Sequence, residues 1–246
     1  MGRNQKSQLF NADCFSILPT LSDRSVQCVI TDMPYGTTDC HWDKAPDLDA
    51  WWIQLERIAT EGAVFVLFAA QPFTTALINS RPKWFRYDLT WDKVRAVGHL
   101  NANRQPMRVH EQVLIFCRRP ALSTYNPQFT PGTPYRTKKA GGKLSQVYRA
   151  SNAYSSVNPG RRHPTSILRF EKPSQRDRLH PTEKPTSLLA WLVRSYSKPG
   201  QTVLDTFMGS GSTIAAAIAA GRHAIGIERD PEIFAAASRR IERVRE

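Results

Sequence analysis

Residues 202–213 read TVLDTFMGSGST, and how that stretch is read decides the fold. An apolar run of strand length leads directly into Gly209 and Gly211, then into a series of small residues that Gly221 stops. With no side chain at the glycines, the backbone can turn tightly and approach a ligand closely. The next apolar run, HAIGIE at 223–228, ends in Glu228, whose carboxylate can accept hydrogen bonds from both hydroxyls of a ribose. Strand, glycine turn, helix and a second strand ending in an acid make a nucleoside-binding unit. It is not a P-loop, because no lysine precedes Ser212-Thr213, and the third glycine of the dinucleotide fingerprint is missing. A nucleoside cofactor without a pyrophosphate fits better. S-adenosylmethionine has that character, with its adenosine, charged amino-acid tail and sulfonium methyl.

Working outward, the apolar runs at 8–11, 26–32, 63–69, 85–91 and 112–118 predict strands, and SILRF at 166–170 predicts another returning to the core. The runs at 26–32 and 63–69 are nearly continuous, as expected of parallel strands covered on both faces. Between them the pattern predicts a helical turn at 15–21 and helices at 51–59 and at 71–79, the latter with Pro72 at its start. Thr186 to Ser197 has Leu188, Leu189, Leu192 and Tyr196 on one side, and Pro231 to Arg245 has Ile233, Phe234, Ala237 and Ile241. Alternating strands and helices imply a mostly parallel α/β sheet. From Pro120 onward the composition shifts to Arg, Lys, Ser, Thr, Gly and Pro, which reads as a basic insertion.

The 246 residues carry 34 Lys and Arg against 21 Asp and Glu, a formal net charge of +13. Such an excess points to a polyanionic partner, since lysines and arginines neutralise phosphates and release counterions. Cys14, Cys28, Cys40 and Cys117 are scattered, which speaks against structural zinc and against a secreted disulfide framework. Cys28 and Cys117 lie in apolar runs and read as buried. No metal constellation is expected among the histidines. No run is long enough to span a bilayer and no signal peptide is apparent, so a cytoplasmic protein without membrane attachment is the expectation.

The strand at 26–32 ends in ITDMPYG, at the edge of the sheet where open α/β folds bind ligands. Asp32 can accept a hydrogen bond from an exocyclic amino group. Pro34 lacks an N–H but keeps its carbonyl as a second acceptor, and Tyr35 offers a flat face. Together they can orient an –NH₂ and hold an extruded base.

With both motifs in view, the chain resembles the amino-group DNA methyltransferases that modify adenine N6 or cytosine N4, and is similar to their short phage or prophage members. Their catalytic motif corresponds to Asp32-Met33-Pro34-Tyr35, with Met33 replacing the usual first proline, and their cofactor motif to Phe207-Met208-Gly209-Ser210-Gly211. The catalytic motif comes first, as in the permuted β class. The resemblance implies a Rossmann-like S-adenosylmethionine-dependent methyltransferase fold: a seven-stranded, mostly parallel sheet, ordered 3-2-1-4-5-7-6, with helices on both faces. It also implies a division into a catalytic half at 1–119, a basic target-recognition insertion at 120–179 and a cofactor-binding half at 180–246. Catalysis would fall to Asp32, Pro34 and Tyr35, with Trp42 or Trp91 as further apolar walls. The cofactor would be held by Asp13, Thr182, Lys184, Asp205, Phe207, Gly209, Gly211 and Glu228, with HPTEKP at 180–185 lining its methionine end.

Double-stranded DNA is the expected partner, contacted through Arg104, Arg108, Arg136, Lys138, Lys139, Lys143, Arg149, Arg161, Arg162 and Arg169. Asp at the head of the catalytic motif favours adenine N6, with cytosine N4 as the alternative and RNA or protein methylation as a third. No Pro-Cys nucleophile motif suggests C5-cytosine chemistry. A non-catalytic nucleic-acid-binding module would have lost the acid or the glycines, and a dinucleotide oxidoreductase leaves Asp32-Tyr35 unexplained. The resemblance allows a homodimer and a cognate restriction endonuclease.

Overall fold

In this computed structural model the described residues are 7–36, 44–139, 141, 153–172 and 183–245. The chain runs through β1 (Ser7–Asn11), α1 (Cys14–Ile17), β2 (Val26–Thr31), α2 (Leu48–Ile58), β3 (Ala59–Ala69), α3 (Phe73–Ser80), β4 (Phe85–Val97) and β5 (Arg108–Cys117). Four short strands follow, β6 (Thr130–Pro131), β7 (Tyr135–Lys139), β8 (Tyr154–Asn158) and β9 (Arg161–Arg162). Then come β10 (Ile167–Arg169), α4 (Thr186–Tyr196), β11 (Thr202–Asp205), α5 (Ser212–Ala219), β12 (His223–Glu228) and α6 (Pro231–Arg245).

The main sheet has eight strands in the order β1-β12-β11-β2-β3-β5-β4-β10. Its first seven positions reproduce the expected 3-2-1-4-5-7-6 arrangement. The count of seven is corrected to eight by β10, which pairs parallel to the edge of β4 from Ile167↔Thr90 to Arg169↔Asp92. Leu168, buried on the inner face of that short strand, joins the core beside Leu89 and Trp91 and explains why the chain adds there. The β3–β5 and β4–β5 pairs are antiparallel, and every other pair in the sheet is parallel.

Alternation along the strands divides the core. Cys28, Ile30, Val64, Val66, Val113 and Ile115 face α4, α5 and α6, whereas Val29, Phe65, Leu67, Leu114 and Phe116 face α1, α2 and α3. Helix α2 shows the local logic. Asp47 caps it by accepting from the Asp49 and Ala50 N–H groups at 3.0 Å each, a device that contributes about 1 kcal/mol. Trp51, Trp52, Leu55 and Ile58 then return at helical spacing, all of them buried. Trp52 meets Trp51, Phe65 and Trp84 edge-on, at centroid distances of 4.8, 5.2 and 5.7 Å.

Strands β4 and β5 are longer than expected and extend into the basic 92–111 segment. Their register shifts between Asp92 and Val97, where Val94 adopts φ +67° and its N–H donates to Asp92 Oδ1 at 2.8 Å. A valine in the left-handed region is uncommon and marks a bulge. Before the bulge, Leu89, Trp91 and Lys93 alternate inward, so a lysine takes a core position.

Residues Pro127–Thr165 form a separate compact unit built from two small antiparallel pairs, β6 with β9 and β7 with β8. Arg162 ties this unit together: its guanidinium lies 4.9 Å from the Tyr135 ring centroid and donates to Asn158 Oδ1 at 3.3 Å. No helix among the described residues is long and apolar enough to cross a membrane.

Candidate active site

The two motifs sit on neighbouring strands. β2 and β11 pair at Val203↔Cys28 and Leu204↔Val29, and both continue past their carboxyl ends into the motif residues. A direct link follows, in which Thr31 Oγ1 donates to Asp205 Oδ1 at 2.7 Å. Burial drives the Asp205 pKa up to about 6, against the lowering effect of the Thr31, Thr213 and Phe207 hydrogen bonds; the nearby Asp32 charge adds to the rise.

On the β11 side the site is made of backbone. Gly209 and Gly211 have φ of +49° and +73°, both in the left-handed region that glycine favours. A Cβ on Gly209 would meet nothing within 4 Å, leaving open space along the turn. One on Gly211 would lie 3.0 Å from Ile241 Cδ1 and 3.1 Å from Ala237 Cβ, so this glycine lets α6 pack against the turn. The Gly209 N–H donates to Glu228 Oε2 at 3.0 Å and the Asp230 N–H to Oε1 at 2.8 Å. Asp13 lies at the same end of the sheet, because β1 pairs with β12 up to Asn11↔Glu228. It caps α1 through the Phe15 N–H at 2.9 Å. Phe207 is partly buried against the α1–α3 side of the core. An open glycine turn, with Glu228 at the end of β12 and Asp13 just beyond β1, fits the adenosine part of S-adenosylmethionine.

On the β2 side the site is made of charge. Asp32 Oδ1 accepts the Tyr35 hydroxyl at 2.6 Å, and Oδ2 accepts the Lys184 ammonium. The Tyr35 ring stacks on Phe73 at 5.4 Å with a 22° interplanar angle, while Met33 is buried in the core below. The Met33 departure from the family motif is thereby explained as a packing residue.

Lys184 also lies 3.3 Å from Glu111 Oε2, and Glu111 Oε1 lies 3.2 Å from Lys93 Nζ and 3.9 Å from Lys172 Nζ. Lys93 is only 1% exposed. Burial alone would raise the Glu111 pKa, but Lys184, Lys93 and Lys172 outweigh it and hold the carboxyl down at about 2. For Lys184 burial would lower the pKa, and Asp32 and Glu111 reverse this, lifting it above the ordinary lysine range. Its ammonium lies 5.0 Å from the Phe68 ring centroid and 5.8 Å from that of Trp91.

Trp91 is fully enclosed, with its Nε1 donating to the Phe170 carbonyl at 2.8 Å. Glu183, the neighbour of Lys184, turns the other way and pairs with Arg240 on α6 at 2.7 Å. Arg240 in turn reaches Ser210 Oγ of the glycine turn at 3.4 Å. Two consecutive residues thus tie the start of α4 to both sides of the site.

Lys184, which the family resemblance puts at the cofactor, has its ammonium on Asp32 and Glu111. Lys93, Glu111 and Lys172 were not singled out. The available signal was the inward alternation Leu89-Trp91-Lys93 facing Glu111-Val113-Ile115, which carries charge where the period demands core. Thr182 and Trp42 lie outside the described residues. Cys14 and Cys28 are buried, and burial pushes both thiols up to about 12, which leaves them inert. Cys117 is buried as well, and no metal-binding cluster occurs among the described residues.

Of the expected DNA contacts, Arg104 and Arg108 are exposed at the β4–β5 turn and at the start of β5. Arg169 on β10 is exposed, 3.9 Å from Asp92. Arg136, Lys138 and Lys139 are exposed along β7. Arg161 lies over Phe129 at 4.0 Å, and Arg162 is engaged within its own unit. Lys143 and Arg149 lie outside the described residues.

The sequence and the fold both have relatives among known proteins. The chain is similar to the type II methyltransferase M.HinfI of Haemophilus influenzae, 26% identical over 266 residues, covering 96% of this chain and 68% of that protein. The M1.HpyAVI–SAM complex shares the fold with a TM-score of 0.64 at 22% identity, covering 95% of this chain and 98% of the other. The cytosine-N4-specific PvuII DNA methyltransferase shares it with a TM-score of 0.64 at 15% identity, covering 98% and 90%. A DNA methylase family model for N6 and N4 enzymes matches residues 26–239, from the first residue of β2 into α6, and the chain belongs to that family.

Proposed function

We propose that this chain transfers a methyl group from S-adenosylmethionine to adenine N6 of a base flipped out of double-stranded DNA. The observation that carries the reading is the Thr31–Asp205 link, which holds an amine-accepting carboxylate, Asp32, beside an open glycine turn. When bound, the cofactor supplies an electrophilic methyl whose bonding pair stays with sulfur as the amino nitrogen takes the carbon. Glu228 and Asp13 would hold the ribose hydroxyls and the adenine amino group, and the open turn at Gly209 would let the backbone approach. Asp32 and the Pro34 carbonyl accept from the two N–H groups of the target amine and fix its lone pair. They stabilise the positive charge that develops on nitrogen, and Asp32 can take the proton that nitrogen then loses. Tyr35 presents its ring to the base and its hydroxyl to Asp32.

In this reading residues 1–119 form the catalytic half, 120–179 the target-recognition insertion and 180–246 the cofactor half. The basic excess of the chain serves binding to double-stranded DNA in the cytoplasm, and the family likeness allows a homodimer and a companion restriction endonuclease. Light scattering at physiological salt tests the dimer.

The decisive experiment supplies labelled cofactor and DNA, digests the product to nucleosides and identifies the labelled one. Label in N6-methyldeoxyadenosine supports the proposal. Label confined to N4-methyldeoxycytidine would support the second reading, which the likeness to a cytosine-N4-specific enzyme favours.

A further inference from the structure

Both oxygens of Asp32 are engaged, Oδ1 by the Tyr35 hydroxyl at 2.6 Å and Oδ2 by the Lys184 ammonium. The same carboxylate is needed by the target amine, so the ammonium competes with the substrate for it. It also stands badly for the reaction. Positive charge grows on the nitrogen as it is methylated, and an ammonium sharing its carboxylate opposes that charge in a site of low dielectric. Lys184 is buried beneath Phe68 and Trp91, and a buried ammonium is stable only against a partner.

Glu111 is such a partner. Its Oε1 faces Lys93 and Lys172. Its Oε2 is buried and accepts no well-directed hydrogen bond among the described residues, yet lies only 3.3 Å from Lys184 Nζ. The ammonium is already within ion-pair range of a second carboxylate, and a small side-chain shift completes that bond as the first one breaks. Lys93, at a core position of β4, keeps the Glu111 carboxylate in place.

We propose, resting on the reading of Asp32 as the base-holding carboxylate, that Lys184 passes from Asp32 to Glu111 when the target base enters, and that Glu111 is the positioning residue that makes Asp32 available. Lys184 thereby pairs with Asp32 until the base enters and with Glu111 once the base is seated.

Single-turnover methyl transfer is measured on a duplex carrying the enzyme's mapped site, for the wild type, Glu111→Gln, Glu111→Asp, Lys184→Met and the Glu111→Gln/Lys184→Met double variant. Melting curves check that each folds. Glu111→Gln should slow transfer about 10- to 100-fold, the worth of a charged hydrogen bond, and Glu111→Asp should restore part of the rate. In the Lys184→Met background the Glu111→Gln change should cost less than about threefold, because no ammonium is then left for Glu111 to draw off Asp32. Equal cost in both backgrounds, as a purely structural role would give, overturns the hand-over. So does a Glu111→Gln variant as fast as an active wild type.

A structure of the wild type with duplex DNA and an extruded base gives a readout independent of variants. Lys184 Nζ should sit about 2.8 Å from Glu111 Oε2 and off Asp32. Lys184 still on Asp32 beside a seated base overturns the inference. A wild type that binds cofactor but methylates no base overturns the reading of Asp32 and the hand-over with it.

Discussion

On the β11–β12 side of the sheet's carboxyl end the site is built from backbone; on the β2–β4–β5 side it is built from buried charge. The first side depends on two left-handed glycines and on one carboxylate, Glu228, held by the Gly209 and Asp230 N–H groups. The second depends on three lysines and two carboxylates drawn from β2, β4, β5, the segment after β10 and the start of α4. A backbone site tolerates chemical variety but not volume. A charged site tolerates volume but not the loss of one partner, since the other is then left buried and unpaired. The two sides should therefore fail differently, and each variant below is a way to make them do so.

The largest effect is expected from Asp32→Ala. Removing an acceptor aimed at developing charge should lower single-turnover transfer about 10²- to 10³-fold. Cofactor affinity, measured by calorimetry, should stay within about threefold, because the Gly209–Glu228 side does not use Asp32. Near-normal turnover would end the catalytic assignment, and a matching loss of cofactor affinity would end the division between the sides.

Stability against pH should separate the sides by sign. Asp205, beside the glycine turn, is raised to about 6, so its protonated form is favoured in the fold. Its contribution is present below the unfolded value near 4 and is lost as pH rises through about 6. Glu111 is held down at about 2, so its contribution is present above the unfolded value near 4.5 and is lost as pH falls through about 2. Each shift of roughly two units corresponds to about 3 kcal/mol. Urea melts of Asp205→Asn should gain on the wild type between pH 4 and 6, whereas Glu111→Gln should close its deficit only below about pH 4.5. Parallel curves for both variants would remove the electrostatic basis of the contrast.

Gly209→Val and Gly211→Val probe volume. The first places a side chain in open space at φ +49°, so the fold should lose about 1–2 kcal/mol to strain while cofactor affinity drops at least about tenfold. The second forces Ile241 and Ala237 apart and should cost stability before affinity. Unchanged cofactor binding in folded Gly209→Val would show that the open space is not where the cofactor lies.

What could be read from the chain followed the same division. The glycine side was legible because its parts are contiguous: a strand, a turn that only glycine accommodates, a helix, and an acid one strand later. The strands themselves were legible because buried parallel strands write themselves as apolar runs, whereas their order across the sheet came from the family resemblance. The charged side was legible only at Asp32. Lys93 and Glu111 become neighbours only through antiparallel pairing across a long turn, so the alternation that carries both charges inward gains its meaning only once the two strands are set in register. Strand β10 was legible, but its place at the sheet edge beside β4 depends on a long-range pairing that no local pattern encodes.

The smallest effect should come from the compact unit at Pro127–Thr165, and it asks whether charge on a surface behaves like charge in the site. Arg136, Lys138 and Lys139 are exposed on β7, where screening by salt is nearly complete beyond a Debye length. If each contacts a phosphate, replacing all three by alanine should weaken duplex binding about tenfold at low salt and flatten the slope of log affinity against log salt by about 2 to 3. Arg162→Ala is the control. Its guanidinium is engaged with Asn158 and Tyr135, so its loss should loosen the unit without altering the salt slope. A slope unchanged in the triple variant would move the DNA contacts elsewhere, towards Arg104 and Arg108 at the β4–β5 turn, whose strands also carry Lys93 and Glu111. The salt dependence would then reside in the element that supplies the buried charge.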